Sequence, residues 1–193
     1  MKEKDLKEQL KEKYLKFLQT EFVVFDLETS GLDPNKDEIL EIAGIKLRGN
    51  QETARFEALI QPTKLIPLEV ERINGLNEFY LLSNGRKAIE VIKDFLDFTR
   101  NSIIVGHNIR EFDWLFVIAC AKRYNLLLPT NKLIDTLELS RKLLSLSQYN
   151  LSAVAKYFGY EHVNAHRAMP DVEINTKVFL HLMEKMFNPP EEK

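Results

Sequence analysis

The chain has 193 residues, 45% hydrophobic and 29% charged, a composition typical of one globular domain with a buried core. Its 27 basic and 29 acidic residues give a net charge of −2, which argues against a protein that neutralises the many phosphates of a long duplex. The single cysteine, Cys120, excludes an internal disulfide and a cysteine-based zinc cluster, and favours a reducing cytoplasm. We find no apolar run of about 20 residues that could span a bilayer and no apolar signal-peptide core, so we expect a cytoplasmic protein with no membrane partner.

The first predicted element is an amphipathic helix over residues 2–19, within a leading segment of residues 1–20. Leu10, Tyr14 and Leu18 lie in its apolar stripe, and Lys and Glu occupy most other positions. We interpret it as a solvated helix that docks on the rest of the chain or on a partner. A basic arm that contacts nucleic acid is the alternative.

A run of strand signals follows this helix. Residues 22–27 carry apolar side chains on both faces, as expected of a strand with helices on either side. Residues 39–47 and 54–60 predict antiparallel partners, and strands then alternate with helices. This pattern predicts an α/β sandwich with a mixed sheet, as one domain over residues 21–187 before a short tail over 188–193. The other predicted elements are a short helix over 68–73, a helix over 86–99, a strand over 102–106, a helix over 111–124, a strand over 133–135, and helices over about 136–145, 151–158 and 169–186.

Two carboxylates come near the end of the first predicted strand, in the sequence "FVVFDLETSG". Asp26 and Glu28 are two residues apart, which in a strand places them on one face about 6.6 Å apart. Like charges at this spacing repel, and the nearest downstream basic residue, Lys36, lies in a turn. Paired oxygen ligands suit Mg²⁺ or Mn²⁺, so a metal site is one interpretation, although a D-x-E pattern also arises by chance.

A second group of polar residues follows the later strands. His107 and Asn108 come directly after the strand in "IIVGHNIREFDWLF", where a loop should cross the edge of the sheet. Asp113 then falls in the first turn of a helix, a position that the helix dipole alone favours for an acid. Asp135, before a further helix, is most simply an N-cap.

A third group lies in "NAHRAMPDVEIN", at the start of the last predicted helix. Pro170 is suited to a first helical turn because it lacks an N–H group, so Asp171 also lies in that turn. His166 lies five residues before Asp171, in the approach to the helix. A solvated loop histidine is its ordinary interpretation.

These motifs, taken in order, resemble those of the DEDDh 3′–5′ exonucleases. They are D-x-E on the first strand, H-N-x-x-x-F-D after a later strand, and H-x-A-x-x-D at the last helix. The sequence is most similar to the epsilon-type proofreading exonucleases of bacterial DNA polymerase III, from about Phe22 to Met183. The tyrosine branch of the family has Tyr four residues before the last Asp, where this chain has Arg167; the histidine branch has His five residues before it, where this chain has His166. Stretches outside the catalytic motifs that extend the resemblance are "FDLETSGLDP", "IPLEVERINGLN", "VGHNIREFDWLF", "LIDTLELSRKLL" and "NLSAVAKYFGY".

The resemblance implies a ribonuclease H-like fold, a three-layer α/β sandwich with a central mixed five-stranded sheet. It implies two divalent cations, Mg²⁺ or Mn²⁺, that bind the scissile phosphate from both sides, and it gives His166 the role of the base that deprotonates the attacking water. The substrate would be the 3′ end of single-stranded or frayed DNA, and the product a nucleoside 5′-monophosphate. The implied metal ligands are Asp26, Glu28, Asp113 and Asp171, and the implied substrate contacts are Thr29, Leu32, His107, Asn108 and Phe112.

The expected partner is the 3′ end of a nucleic acid. DNA is favoured, and RNA is the alternative because no residue reveals a contact to a 2′-OH. A 3′–5′ exoribonuclease that trims RNA ends is therefore a second hypothesis. A polymerase or other protein is a further expected partner, in proofreading or repair. A non-catalytic binding module is a third hypothesis, which the presence of all four carboxylates and the histidine disfavours.

Overall fold

The protein is built around a sheet whose central strand, β1, holds the first carboxylate motif. The computed structural model describes residues 2–163 and 166–187, with side chains from residue 8 onward, so the predicted tail over 188–193 lies outside the described residues. Within these ranges the chain forms five strands and eight helices. In chain order they are α1 (Lys2–Gln19), β1 (Glu21–Thr29), β2 (Ile39–Arg48), β3 (Gln51–Leu59), α2 (Leu68–Asn74), α3 (Glu78–Asn84), α4 (Ala88–Phe98), β4 (Ile103–Gly106), α5 (Asp113–Arg123), β5 (Leu133–Asp135), α6 (Thr136–Leu143), α7 (Leu151–Tyr157) and α8 (Ala168–Phe187).

The strand order in the sheet is β3-β2-β1-β4-β5. β1 pairs with β2 and β2 with β3 in antiparallel fashion, whereas β1, β4 and β5 run parallel. The prediction of a mixed five-stranded sheet is therefore confirmed. Because the three parallel strands end at the same edge, the loops after β1, β4 and β5 lie side by side there.

The alternation of side chains along β1 decides which layer each residue faces. Val23, Phe25 and Leu27 pack in the core under α4 and α5. Phe22 and Val24 pack on the opposite face with residues of α8. Asp26 and Glu28 have the same parity as Phe22 and Val24, so they lie on the α8 side of the sheet.

Helices cover both faces of the sheet, which confirms the predicted three-layer sandwich. A separate apolar cluster joins α6 and α7 to the outer side of α8 through Val154, Ile174 and Val178. The predicted docking of α1 on the domain is observed, because Phe17 lies 5.3 Å from Phe22 and 5.4 Å from Phe187 between ring centroids. Aromatic rings at this spacing add to the stability gained from burial.

The structure also corrects the predicted elements in two places. No element was predicted between residues 73 and 86, yet α3 forms there. The sequence contained a signal for this helix in its N-cap residue, Asn77. The Asn77 side chain accepts a hydrogen bond from the Tyr80 N–H at 2.8 Å. β3 begins at Gln51 rather than residue 54, because the turn at Gly49 and Asn50 is tight enough to pair Arg48 directly with Gln51. Within the described part of the chain, no helix has the length and apolar character needed to cross a bilayer.

Candidate active site

A cavity of about 470 Å³ opens at the edge of the sheet where β1 and β4 end. Its walls come from the ends of these strands, from α2, from the start of α5 and from the loop before α8. All the residues that the sequence analysis proposed for the site line this one cavity: Asp26, Glu28, Thr29, Leu32, His107, Asn108, Phe112, Asp113, His166 and Asp171.

Four carboxylates from three separate segments converge in the cavity. Asp26 and Glu28 project from β1 toward α8, and Asp171 lies in the first turn of that helix. Oxygen atoms of these three side chains lie within 4.8 Å of one another. Asp113 is the first residue of α5 and is only 5% exposed. The period of β1 therefore places its two acids on the face where α8 begins.

The carboxylates raise one another's pKa values because they share a site that is largely withdrawn from water. Burial, followed by the charges of Asp113 and Asp171, raises the pKa of Asp26 well above its usual range. Burial and then the charge of Asp171 raise the pKa of Glu28 to about 8, against a smaller lowering by a hydrogen bond from Asn74. Burial raises the pKa of Asp113 to about 7, although backbone hydrogen bonds oppose the change. The site therefore favours the binding of positive charge.

The donor set fits a hard divalent cation. All the convergent ligand atoms of the three-residue cluster are carboxylate oxygens, the type of ligand that Mg²⁺ and Mn²⁺ prefer. Such a cation would neutralise charges whose mutual repulsion is otherwise uncompensated. Asp26, Glu28 and Asp171 can therefore hold a divalent cation, and Asp113 lies in the same cavity.

A fifth acid, Glu41, lies beside the site but is compensated by protein groups. It is directly opposite Glu28 in the register of β1 and β2, and it is 1% exposed. Arg167 donates two hydrogen bonds to it, from Nε to Oε2 at 3.0 Å and from Nη2 to Oε1 at 2.8 Å. The Ala168 N–H donates a third at 3.0 Å. Glu41 therefore neutralises Arg167 and satisfies a free N–H group in the first turn of α8.

Two residues at the rim of the cavity have left-handed backbones, although neither is glycine. The φ angles are 61° at Asn108 and 69° at His166. Non-glycine residues in this region carry strain that persists only where the surroundings hold it. The Asn108 N–H donates to Asp135 Oδ1 at 3.0 Å, and the His166 N–H donates to Asp171 Oδ2 at 3.4 Å. The His166 residue is exposed and borders the cavity.

The predicted N-cap Asp135 is confirmed and also supports the cavity rim. Its Oδ1 accepts a hydrogen bond from the Leu137 N–H at 2.9 Å in addition to the bond from Asn108. One carboxylate thus begins α6 and holds the loop after β4.

His107 lies in the cavity wall with both ring nitrogens in contact with the protein. Its Nε2 lies 2.8 Å from the Tyr149 carbonyl oxygen, which can only accept, so Nε2 carries the hydrogen. Nδ1 lies 3.0 Å from the Thr136 hydroxyl oxygen, and that hydroxyl donates to Asn175 Oδ1 at 2.8 Å. Burial lowers the pKa of His107, which favours the neutral ring. His107 therefore connects the β4 loop to α6 and to the segment before α7.

The other predicted contact residues form the apolar and polar lining of the mouth. Leu32 is 83% exposed at the turn after β1. Phe112 precedes α5 and packs on Phe116, with 5.0 Å between ring centroids. The Thr29 hydroxyl donates to the Gly31 carbonyl at 2.7 Å, which holds the turn that carries Leu32.

α2 forms a wall of the cavity that was not predicted from the sequence. The stretch "IPLEVERINGLN" lies outside the catalytic motifs, yet its Val70, Ile73 and Asn74 all line the site. Asn74 is 4% exposed, its Oδ1 accepts from the Leu76 N–H at 3.0 Å, and its side chain lowers the pKa of Glu28. The sequence signal for this wall was an asparagine at the end of a short helix, directly before Gly75.

A mixed sheet between helices, with carboxylates gathered at the end of its central strand, is the arrangement expected of ribonuclease H-like nucleases. Residues 23–179 match the model of the RNase_T exonuclease family, and the chain belongs to this family. The DNA polymerase III subunit epsilon of Aquifex aeolicus is 32% identical over 168 residues, which cover 86% of this chain and 82% of that protein. The predicted resemblance to epsilon-type exonucleases is therefore confirmed.

Two further relatives extend this comparison. The DNA polymerase III PolC-type protein of Thermotoga maritima is 39% identical over 165 residues, and this chain spans 12% of that protein's length. The crystal structure of E. coli exonuclease I in complex with a dT13 oligonucleotide matches with a TM-score of 0.79 at 20% identity, over 89% of this chain and 42% of that one. The latter match shows a shared fold.

Proposed function

We propose that the chain is a divalent-metal-dependent 3′–5′ exonuclease that removes nucleotides from the 3′ end of single-stranded or frayed DNA. The products are nucleoside 5′-monophosphates. The observation that carries this proposal is the convergence of Asp26, Glu28, Asp113 and Asp171 in one cavity that His166 borders. A structural role for Asp26, Glu28 and Asp113 would require basic partners of the kind that Glu41 has in Arg167.

The carboxylates are proposed as ligands of two divalent cations, Mg²⁺ or Mn²⁺. Asp26, Glu28 and Asp171 would hold one cation, and Asp26 and Asp113 would contribute to the second. When bound, the cations neutralise these acids and stabilise negative charge on the scissile phosphate. The protein's contribution is to hold four oxygen-bearing side chains at the end of a rigid strand and at two helix starts.

His166 is proposed as the general base. Its ring accepts a proton from the attacking water on a nitrogen, and general bases of this kind typically contribute about 10²–10⁴-fold in rate. This residue has a left-handed backbone, its N–H donates to Asp171 Oδ2, and it borders the cavity while exposed to solvent. The base is thus held next to a metal ligand without itself being buried.

The lining of the mouth supports binding of a terminal nucleotide without sequence preference. Leu32, Ile73 and Phe112 offer apolar surface to a base or sugar, and apolar and aromatic contacts accept any base. Asn108 and Thr29 offer polar groups beside them. A pocket closed on one side by α2 and on the other by the β4 loop suits a free chain end, which supports exonuclease rather than endonuclease activity.

DNA is proposed as the substrate because the relatives named above are DNA polymerase III proteins and a DNA-bound exonuclease. By the same similarity, we propose that the chain acts in proofreading or repair beside a polymerase. These assignments rest on relatives that are in part much longer than this chain.

The experiment is digestion of 5′-labelled single-stranded DNA, matched RNA and a duplex with a 3′ mismatch, with Mg²⁺ or Mn²⁺ and with EDTA. We expect a ladder that shortens from the 3′ end, nucleoside 5′-monophosphates by chromatography, and no products in EDTA. Circular single-stranded DNA is the control, because it has no end and should remain intact. Cleavage of the circle, or equal digestion in EDTA, would contradict the proposal; faster digestion of RNA would favour the exoribonuclease.

A further inference from the structure

A second histidine, which the sequence analysis did not propose for the site, contacts Asp171. His162 lies nine residues before that acid, and its Nε2 is 2.6 Å from Asp171 Oδ1. The two side chains are only 6% and 14% exposed. This contact is therefore shielded from water, unlike the surface pairs in which the net benefit is small.

The two ring nitrogens of His162 have different partners, and the carboxylate partner fixes the direction of its own hydrogen bond. His162 Nδ1 lies 2.8 Å from the Ser152 hydroxyl, which can donate to it. A carboxylate can only accept when ionised, so Nε2 carries a hydrogen and donates it to Asp171 Oδ1. Ser152 belongs to α7 and Asp171 to α8, so the ring connects these two helices at the cavity.

His162 and His166 contact the same acid in different ways. The His162 ring binds Oδ1, whereas His166 approaches Oδ2 only with its backbone N–H, at 3.4 Å. Each oxygen thus has one donor, and lone pairs remain for a cation. Because Asp171 is the member of the cluster that α8 provides, its rotation decides whether its oxygens meet those of Asp26 and Glu28.

We infer that His162 is a positioning residue, which holds the Asp171 carboxylate in the orientation that completes the metal site with Asp26 and Glu28. This inference rests on the proposed function. Hydrogen bonds to ligating side chains typically change metal affinity by about 10–100-fold when they are removed. His162 should therefore act on cation affinity, and His166 on turnover.

The experiment compares Mn²⁺ binding by calorimetry, thermal unfolding and single-stranded DNA digestion in the full chain. The variants are His162→Ala, His162→Gln and His166→Ala. The matched control is His181→Gln, because His181 also contacts an acid, Glu184, at 3.0 Å, but lies more than two turns further along α8. The His162→Gln variant keeps an N–H donor near the position of Nε2, so it tests the hydrogen bond rather than the ring.

We expect His162→Ala to weaken Mn²⁺ binding about 10–100-fold, with turnover restored within a few-fold at saturating Mn²⁺. His162→Gln should recover most of the affinity at an unchanged melting temperature, and His181→Gln should bind Mn²⁺ normally. His166→Ala should show the reverse pattern, normal affinity and low turnover.

Unchanged Mn²⁺ affinity in His162→Ala would overturn the inference, and so would a loss of turnover in that variant that saturating Mn²⁺ does not restore. A His162→Gln variant that folds normally but binds Mn²⁺ as weakly as His162→Ala would also overturn it. If the unmodified chain binds no Mn²⁺, the proposed function fails and this inference fails with it, whereas the results above refute the positioning role alone.

Discussion

Glu28 and Glu41 are directly opposite each other on β1 and β2, yet only Glu41 has a basic side chain as its partner among the contacts described. Glu41 is nearly inaccessible and accepts three hydrogen bonds, two of them from Arg167. Glu28 has two acids beside it, and its pKa rises to about 8 because of burial and then of the charge of Asp171. Like charges directly opposite on neighbouring strands are unfavourable, so this pair needs two sources of positive charge.

The difference separates a structural acid, Glu41, from Glu28, which we propose as a metal ligand. Arg167 supplies the charge for Glu41, and this interaction also anchors the start of α8 and the residue next to His166. No basic side chain among the contacts described for Glu28, Asp26 and Asp113 does the same. A buried acid that lacks a protein cation is the stronger candidate for binding an external one.

The largest expected effect comes from substituting one of the acids that lack a basic partner. Asp26→Asn removes the acid most central to the cluster, and exonuclease activity should fall by at least about 10³-fold, since metal-ion stabilisation of the transition state is worth several kcal/mol. Digestion of single-stranded DNA measures this. The control is Asp97→Asn, an exposed acid of α4 that pairs with Arg100. A fully active Asp26→Asn variant would remove the contrast between the two groups of acids.

The pH dependence of stability comes next. Glu28 and Asp113 have raised pKa values of about 8 and about 7, so the folded, metal-free chain binds more protons than the unfolded chain between about pH 4.5 and 8. Stability should therefore fall by several kcal/mol as pH rises through this range, since one pKa unit corresponds to about 1.4 kcal/mol. Thermal unfolding in EDTA checks this, and Mg²⁺ should remove the decline. A melting temperature that rises from pH 5 to 8 would contradict the raised pKa values of Glu28 and Asp113 in the folded chain.

The two facing glutamates give a matched pair of substitutions. Glu28→Gln relieves repulsion, so it should stabilise the metal-free chain at pH 8 by about 1–3 kcal/mol while it reduces activity. Glu41→Gln leaves Arg167 without its counter-charge and should destabilise by about 1–3 kcal/mol, less than for a fully buried pair because Arg167 is 40% exposed. Chemical denaturation of both variants measures the difference. If both substitutions changed the free energy of unfolding in the same direction, the presence or absence of a basic partner would not explain the effect.

The smallest expected effect tests the geometry of the ion pair between Arg167 and Glu41. Arg167→Lys keeps the positive charge but loses the two-pronged contact with Glu41, which should cost about 1 kcal/mol. Denaturation curves measure the stability, and DNA digestion should change little at saturating Mg²⁺. A loss as large as that of Glu41→Gln would show that the fork geometry matters more than the charge.

Much of the fold could be predicted because its determinants are local in sequence. The apolar run of β1, the period-2 placement of Asp26 and Glu28, and the N-cap Asp135 follow from side-chain pattern alone. The first-turn positions of Asp113 and Asp171 were also readable, since Pro170 marks the start of α8. Convergence of these acids in one site did not follow from the side-chain pattern and needed the family resemblance.

The missed residues depend on contacts between segments that are distant in sequence. Glu41 looks like one polar residue within a strand, and its role appears only when the β1–β2 register sets it opposite Glu28 and the loop brings Arg167 to it. His162 stands nine residues from Asp171, and no helical or strand period relates them. Asn74 ends a helix of only two turns, whose place over the cavity depends on how it packs on the sheet.

The left-handed backbone at residue 166 means that glycine can replace this histidine without strain. Glycine adopts φ near +69° without the steric cost that any β-carbon brings, so His166→Gly should not strain the loop. That replacement would leave an open space of roughly one imidazole at the rim. If His166 is the proposed general base, small soluble imidazoles that diffuse into this space should restore turnover, and the proton acceptor then need not be covalently attached to the chain.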